Sequence, residues 1–276
     1  MRALEQIREW PVGHAAAGVV SRAGTVTEGD AERVFPLASV TKPLVAYAVL
    51  VAVEEGAIEL DQPAGPPGST VRHLLAHTSG LAFDTTVIMA EPGARRIYSS
   101  SGFEVLARFV VEQTGIEFED YLYEAVFEPL GMKSSELDGS AGHGASSTVA
   151  DLLRFASELL DPTLLTGESL AAATSVQFPG RDGVLPGFGS QRPNDWGLGF
   201  EIRDRKTPHW TGATNSARTY GHFGQSGTFL WVDPVPGVAC VALADENFGD
   251  WSRAAWPPLS DAVIGEFAEN RNTAEK

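Results

Sequence analysis

At 276 residues the chain is long enough to bury a large core, as one domain or two interleaved ones. Its 43% hydrophobic and 20% charged residues are ordinary for a globular fold. The formal net charge of −16 argues against nucleic acid or an anionic membrane as partner, since either would require a basic face.

The opening "MRALEQIREW" is charged and amphipathic, and the following "HAAAGVV" is too short and interrupted for a signal-peptide core. "AAAGVV", the turn "SRAG" and "TVTEG" form a β-hairpin, with "RVFPLA" as a third short apolar stretch. From Pro43 to Val53 there is no charge, which suits a buried helix over about 39–55, stopped by Gly56. Segment 57–190 is helical in pattern. It includes "SGFEVLARFVVEQTG", "SSTVADLLRFASELL" with serine and threonine caps, and "GESLAAATSV". Glycines and prolines mark 179–193 as a long loop. Strands return with "WGLGFEIR", "TFLWVDP" and "VACVALADE", and a closing helix covers about 258–269.

Strands at both ends with helices between predict an α/β fold whose antiparallel sheet is built from both termini, residues 1–56 and 191–276. An all-helical domain, 57–190, is inserted between them. No stretch is long enough to span a membrane. The single cysteine, Cys240, sits in an apolar strand and forms no internal disulfide. These features fit a reducing cytoplasm.

The chemistry begins with "ASVTK". Ser39 and Lys42 are one helical turn apart, so the amine can reach the hydroxyl. A serine hydroxyl becomes a useful nucleophile when a neighbour takes its proton, and a desolvated lysine can do so. The alternative is a capping serine beside a lysine that extends to solvent. Tyr98 precedes a serine run and a helix start, where its hydroxyl could enter a cleft. It could act as a base if Lys42 lowered its pKa. Gly221, Gly224 and Gly227 stand three apart before a strong strand. They permit either a bulge or close approach of a substrate to the strand. His73 and His77 have a zinc-like i, i+4 spacing, but the motif glutamate and a third ligand are missing, so neither a metal nor a cofactor is expected.

Ser39-Val-Thr-Lys42, Tyr98-Ser-Ser100 and His222-Phe-Gly224 resemble, in order, three signature elements of the serine β-lactamase and penicillin-binding-protein superfamily. "HLLAHTSGL", "PLGM", "STVADLLRFA", "WGLGF" and "GTFLWVDP" are similar to its class C β-lactamase and family VIII esterase branch. The resemblance implies a β-lactamase-like fold with the active site between the sheet domain and the helical domain. It implies Ser39 as the acylated nucleophile, with Lys42 and Tyr98 sharing proton transfer and Tyr98 activating the deacylating water. The N–H groups of Ser39 and Gln225 would form the oxyanion hole.

Two departures narrow the expected substrate. Ser100 stands where relatives have asparagine, and His222-Phe223-Gly224 replaces Lys-Thr-Gly, so a substrate carboxylate is gripped poorly unless Arg192 or Arg218 reaches in. The expected substrate is a small uncharged ester or amide. A D-amino-acid peptidase, a β-lactamase and a non-catalytic binding protein are the alternatives.

Overall fold

The computed structural model describes residues 1–274, with side chains through 268. In chain order the strands are β1 (Ala15–Ser21), β2 (Gly24–Glu28), β3 (Phe35–Pro36), β4 (Glu136–Leu137), β5 (Ala145–Ser147), β6 (Gly183–Leu185), β7 (Gly189–Gln191), β8 (Glu201–Ile202), β9 (Tyr220–Gly224), β10 (Thr228–Asp233) and β11 (Val238–Ala244). The helices are α1 (Thr41–Glu54), α2 (Val71–Leu75), α3 (Ser101–Thr114), α4 (Phe118–Leu122), α5 (Glu128–Leu130), α6 (Val149–Leu160), α7 (Gly167–Ala173) and α8 (Asp250–Ala274).

The main sheet has the order β2-β1-β11-β10-β9-β8 and is antiparallel throughout. The two chain ends therefore meet at its centre, with Val19 opposite Cys240. Successive side chains of a strand point to opposite faces, and β11 serves two cores in this way. Ala239, Val241 and Leu243 join α1 and α6 on one face. Val238, Cys240, Ala242 and Ala244 join Trp231, Trp256 and Leu259 on the other. A strand covered on both faces reads as an unbroken apolar run, which is why "VACVALA" shows no alternation.

The packing departs from the sequence reading in several places. The helix α6, placed there in the helical segment 57–190, lies against β1 and β11 of the sheet. Its approach is close enough that a Cβ on Gly18 would meet Leu153 Cδ1 at 2.5 Å. The stretch "RVFPLA" contributes only β3, which pairs with β5 in a separate small sheet. "WGLGFEIR" yields just two strand residues, and the loop 179–193 folds into the hairpin β6–β7. The last helix starts at Asp250, not near 258, and contains Pro257 and Pro258. Each proline removes a helical donor, but burial of Trp256, Leu259 and Val263 against the sheet holds the segment helical. Among the described residues, no helix is long and apolar enough to cross a membrane.

Candidate active site

The chain enters the site through a strained turn. Ala38 adopts a φ of 46°, in the left-handed region that costs a non-glycine residue about 1–2 kcal/mol. Ser39 follows in a short 3-10 turn, Ala38–Val40, immediately before α1. Ser39 does not cap this helix; the position before Thr41 is Val40, and no side chain bonds there. The turn is pinned from two sides. Thr228 Oγ1 donates to the Leu37 carbonyl at 2.8 Å, and the Leu37 N–H donates to the Ala145 carbonyl at 2.9 Å. At Gly224 a Cβ would lie 2.2 Å from the Leu37 carbonyl oxygen, so glycine is required where β9 passes the turn.

Lys42, in the first turn of α1, is inaccessible to solvent. Its Nζ lies 3.5 Å from Ser39 Oγ, 3.0 Å from Ser100 Oγ and 2.7 Å from the Gly142 carbonyl oxygen. Among the described residues no carboxylate forms a salt bridge with it, so burial lowers its pKa to about 7, against a weaker upward pull from Glu104. An amine of that pKa is substantially neutral at physiological pH. It then donates to Gly142 and Ser100 and presents its lone pair to the Ser39 hydroxyl.

Tyr98 packs beside this pair. Lys42 Nζ sits over its ring, 4.6 Å from the centroid, and not beside its oxygen. The amine therefore does not ease ionisation as expected from sequence. Burial pushes the phenol pKa upward, outweighing the opposing influence of Ser39, and Tyr98 keeps its proton.

His222 stands 3.3 Å from the Tyr98 oxygen through Nε2, and its Nδ1 lies 2.7 Å from the Phe223 carbonyl oxygen. A carbonyl only accepts, so the imidazole proton is on Nδ1 and Nε2 accepts from the phenol. Burial first, then the proximity of Lys42, lowers the pKa of His222 to about 3. The ring is neutral. It supplies no positive charge for a substrate carboxylate.

Ser39, Tyr98, His222 and Gln225 line one cavity of about 280 Å³. The remaining walls are Phe83, Leu185, Pro186, Trp196, Phe223 and Glu201. Ser100 and Gly224 act from behind, the first against Lys42 and the second against the turn that carries Ser39. Arg192 is exposed and pairs with Asp182 at 3.8 Å, and neither Arg192 nor Arg218 lines the cavity. The histidine pair of "HLLAH" is separated in role. His73 bonds Thr70, whereas His77 accepts the Ser99 N–H and packs against Tyr98 and Trp196.

Sequence reasoning did not single out the Gly142 carbonyl, the walls Phe83, Leu185 and Pro186, or Glu201. The carbonyl leaves no signal in side-chain chemistry. Glu201 had one, as an acidic residue directly after the apolar "WGLGF". It is buried with Lys206 and His209; His209 Nε2 and Trp210 Nε1 donate to it at 2.9 and 2.7 Å.

Known proteins resemble this chain over most of its length. The family model described as Beta-lactamase matches residues 8–263. A crystal structure of a beta-lactamase from Mycobacterium bovis has a TM-score of 0.95 and 62% identity, covering 96% of this chain and 99% of that one. Penicillin-binding protein 4 of Amycolatopsis lactamdurans is 27% identical over 92% of this chain and 82% of its own length. Esterase EstB of Burkholderia gladioli is 30% identical over 58% of this chain and 43% of its own.

Proposed function

The chain belongs to the Beta-lactamase family, and we propose that it is a serine hydrolase that cleaves small uncharged esters or amides through an acyl-enzyme on Ser39. The observation that carries this reading is the buried, unpaired Lys42 amine 3.5 Å from Ser39 Oγ. Neutral Lys42 takes the hydroxyl proton as Ser39 Oγ attacks the carbonyl carbon. The developing oxyanion accepts hydrogen bonds from the backbone N–H groups of Ser39 and Gln225. Collapse breaks the bond to the leaving group, which takes the proton back from Lys42, directly or through the Tyr98 phenol. Water then attacks the acyl carbon, giving up a proton to Lys42; the bond to Ser39 Oγ breaks, the acid leaves, and that proton returns to Ser39 Oγ.

The preference for uncharged substrates rests on His222. Its Nε2 is an acceptor, its ring is neutral, and the cavity walls are mainly apolar. A carboxylate entering this cavity would be desolvated with no cation to receive it.

The 62% identity to the Mycobacterium bovis beta-lactamase supports a second reading, hydrolysis of a β-lactam on the same residues. A fluorophosphonate probe should add to Ser39, with no adduct in Ser39→Ala. Short p-nitrophenyl esters should then be turned over faster than a cephalosporin or a D-Ala-D-Ala peptide. Rapid cephalosporin turnover with inert esters would establish the second reading, and an unlabelled Ser39 would remove both.

A further inference from the structure

Exposed large apolar side chains are concentrated in one loop beside the cavity. Phe83, Val87, Ile88 and Met89 are 52%, 61%, 53% and 62% exposed. The loop is firmly held. The Ala82 N–H donates to the Val87 carbonyl and the Met89 N–H to the Gly80 carbonyl, at 2.9 and 2.8 Å. The serine run after Tyr98 clamps its base. Ser99 Oγ and Ser101 Oγ donate to the Ala82 carbonyl at 2.6 and 2.9 Å, and the Ser100 N–H donates to the Phe83 carbonyl at 2.7 Å. The segment that positions Tyr98 thus also fixes an apolar crest against solvent.

Phe83 belongs to both places. It walls the catalytic cavity, where it stacks on Tyr98 at 5.8 Å, and it begins the crest. Beyond the crest, Ile88 lines a second groove with Leu81, Val105 and Phe109. At ~30 Å³ per water-sized group, a 280 Å³ cavity holds about nine such groups. An ester carbonyl with a short chain fills that space. A longer chain must leave the cavity, and Phe83 offers it an apolar exit.

We infer that this crest is an acyl subsite, and that the substrate is a neutral ester whose aliphatic chain of about eight carbons or more leaves the cavity across Phe83 and lies along Val87 and Met89. The inference rests on the acyl-transfer reading above. The occupant is neutral because the cavity lacks an available cation, the crest carries Asp84, and the chain has a net charge of −16.

The test separates binding from turnover. In Ser39→Ala, which cannot be acylated, the affinity for methyl esters from butanoate to decanoate is read from tryptophan fluorescence, since Trp196 walls the cavity. Concentrations are kept below self-association of the ester. Half-buried methylenes should each tighten binding about twofold, on the order of fiftyfold across the series. Adding Val87→Ser and Met89→Gln, both at exposed positions, should flatten the series beyond hexanoate. Equal affinity for the short and long esters overturns the subsite, as does an unchanged slope in the crest variant. If sedimentation shows a wild-type dimer that the crest variant dissociates, with a flat ester series, the crest is a self-association surface and the inference falls. Failure of the enzyme with intact Ser39 to hydrolyse any ester would sink the proposed activity, while the binding series would still decide the subsite.

Discussion

Two lysines of this chain are buried almost completely, and their surroundings differ in one respect. Lys206 has a carboxylate against it. Its Nζ donates to Glu201 and to the Asp195 carbonyl, the latter at 2.7 Å. Burial alone would raise the pKa of Glu201, but His209 and Lys206 outweigh it and hold the carboxyl at about 2. Lys42 has only a carbonyl and two hydroxyls within reach, and burial brings it to about 7. One amine is a fixed half of an ion pair. Burial lowers the pKa of both amines, but Glu201 opposes this at Lys206, whereas among the described residues Lys42 has no ion-pair partner and only a weaker upward pull from Glu104.

The two histidines repeat the contrast. His209 Nδ1 accepts the Thr211 N–H at 3.1 Å, so its proton is on Nε2 and is given to Glu201. His222 is protonated on Nδ1 and leaves Nε2 to accept from Tyr98. One ring completes the static network, and the other orients a phenol beside Ser39.

This comparison can be broken by exchanging consequences between the lysines. The largest effect is expected in Lys42→Met, where loss of the proposed base should lower kcat/KM for a p-nitrophenyl ester by about ten-thousandfold. The variant should melt no earlier than the wild-type protein, because a lysine whose pKa falls on folding weakens the fold wherever it must be charged. A clear loss of Tm would make Lys42 structural instead.

Lys206→Met should do the reverse. It leaves the Glu201 carboxylate buried without its cation, which costs about 3–5 kcal/mol, while the folded fraction keeps its activity. Combining it with Glu201→Gln should restore part of the Tm. Equal losses in the single and double variants would disprove the pairing argument.

The pH responses should also separate. In the proposed mechanism Lys42 works as the neutral amine, so kcat/KM should rise about tenfold per unit up to pH 7 and level off above it. Glu201 has its pKa lowered on folding, from 4.5 to about 2. Its stabilisation is therefore present above pH 4.5 and lost as pH falls toward 2, about 3 kcal/mol in total. Denaturant titrations across that window would reveal it, and an activity profile flat between pH 5 and 8 would remove Lys42 as the base.

The smallest effect is expected at the rim. Arg192→Ala should change ester kcat/KM by less than about twofold, because its guanidinium is exposed and turned to Asp182. A larger drop confined to carboxylate-bearing substrates would show that Arg192 reaches into the cavity after all.

Much of the site could be read before any coordinates, because short motifs carried it. Ser39 and Lys42 are one turn apart by local geometry alone. Tyr98 and His222-Phe223-Gly224 were recognisable by order and flanks. That β1 and β11 are strands likewise follows from local pattern, as does the Gly115 stop after α3, where φ is 74°.

What the sequence determined by itself is the set of chemical groups and the local elements that carry them: a serine before a helix with an uncharged run from Pro43 to Val53, a tyrosine before a second helix, glycines opening a strand. Tertiary structure alone decided which charges are compensated. "SVTK" and "DRKTP" each hold a lysine, and only packing placed a carboxylate beside Lys206 and withheld one from Lys42. Packing also laid α6 on the sheet and brought Phe83 to the cavity mouth. The reason is physical: desolvation and pairing are set by everything that surrounds a group in space, and residues far apart in the chain supply most of those surroundings.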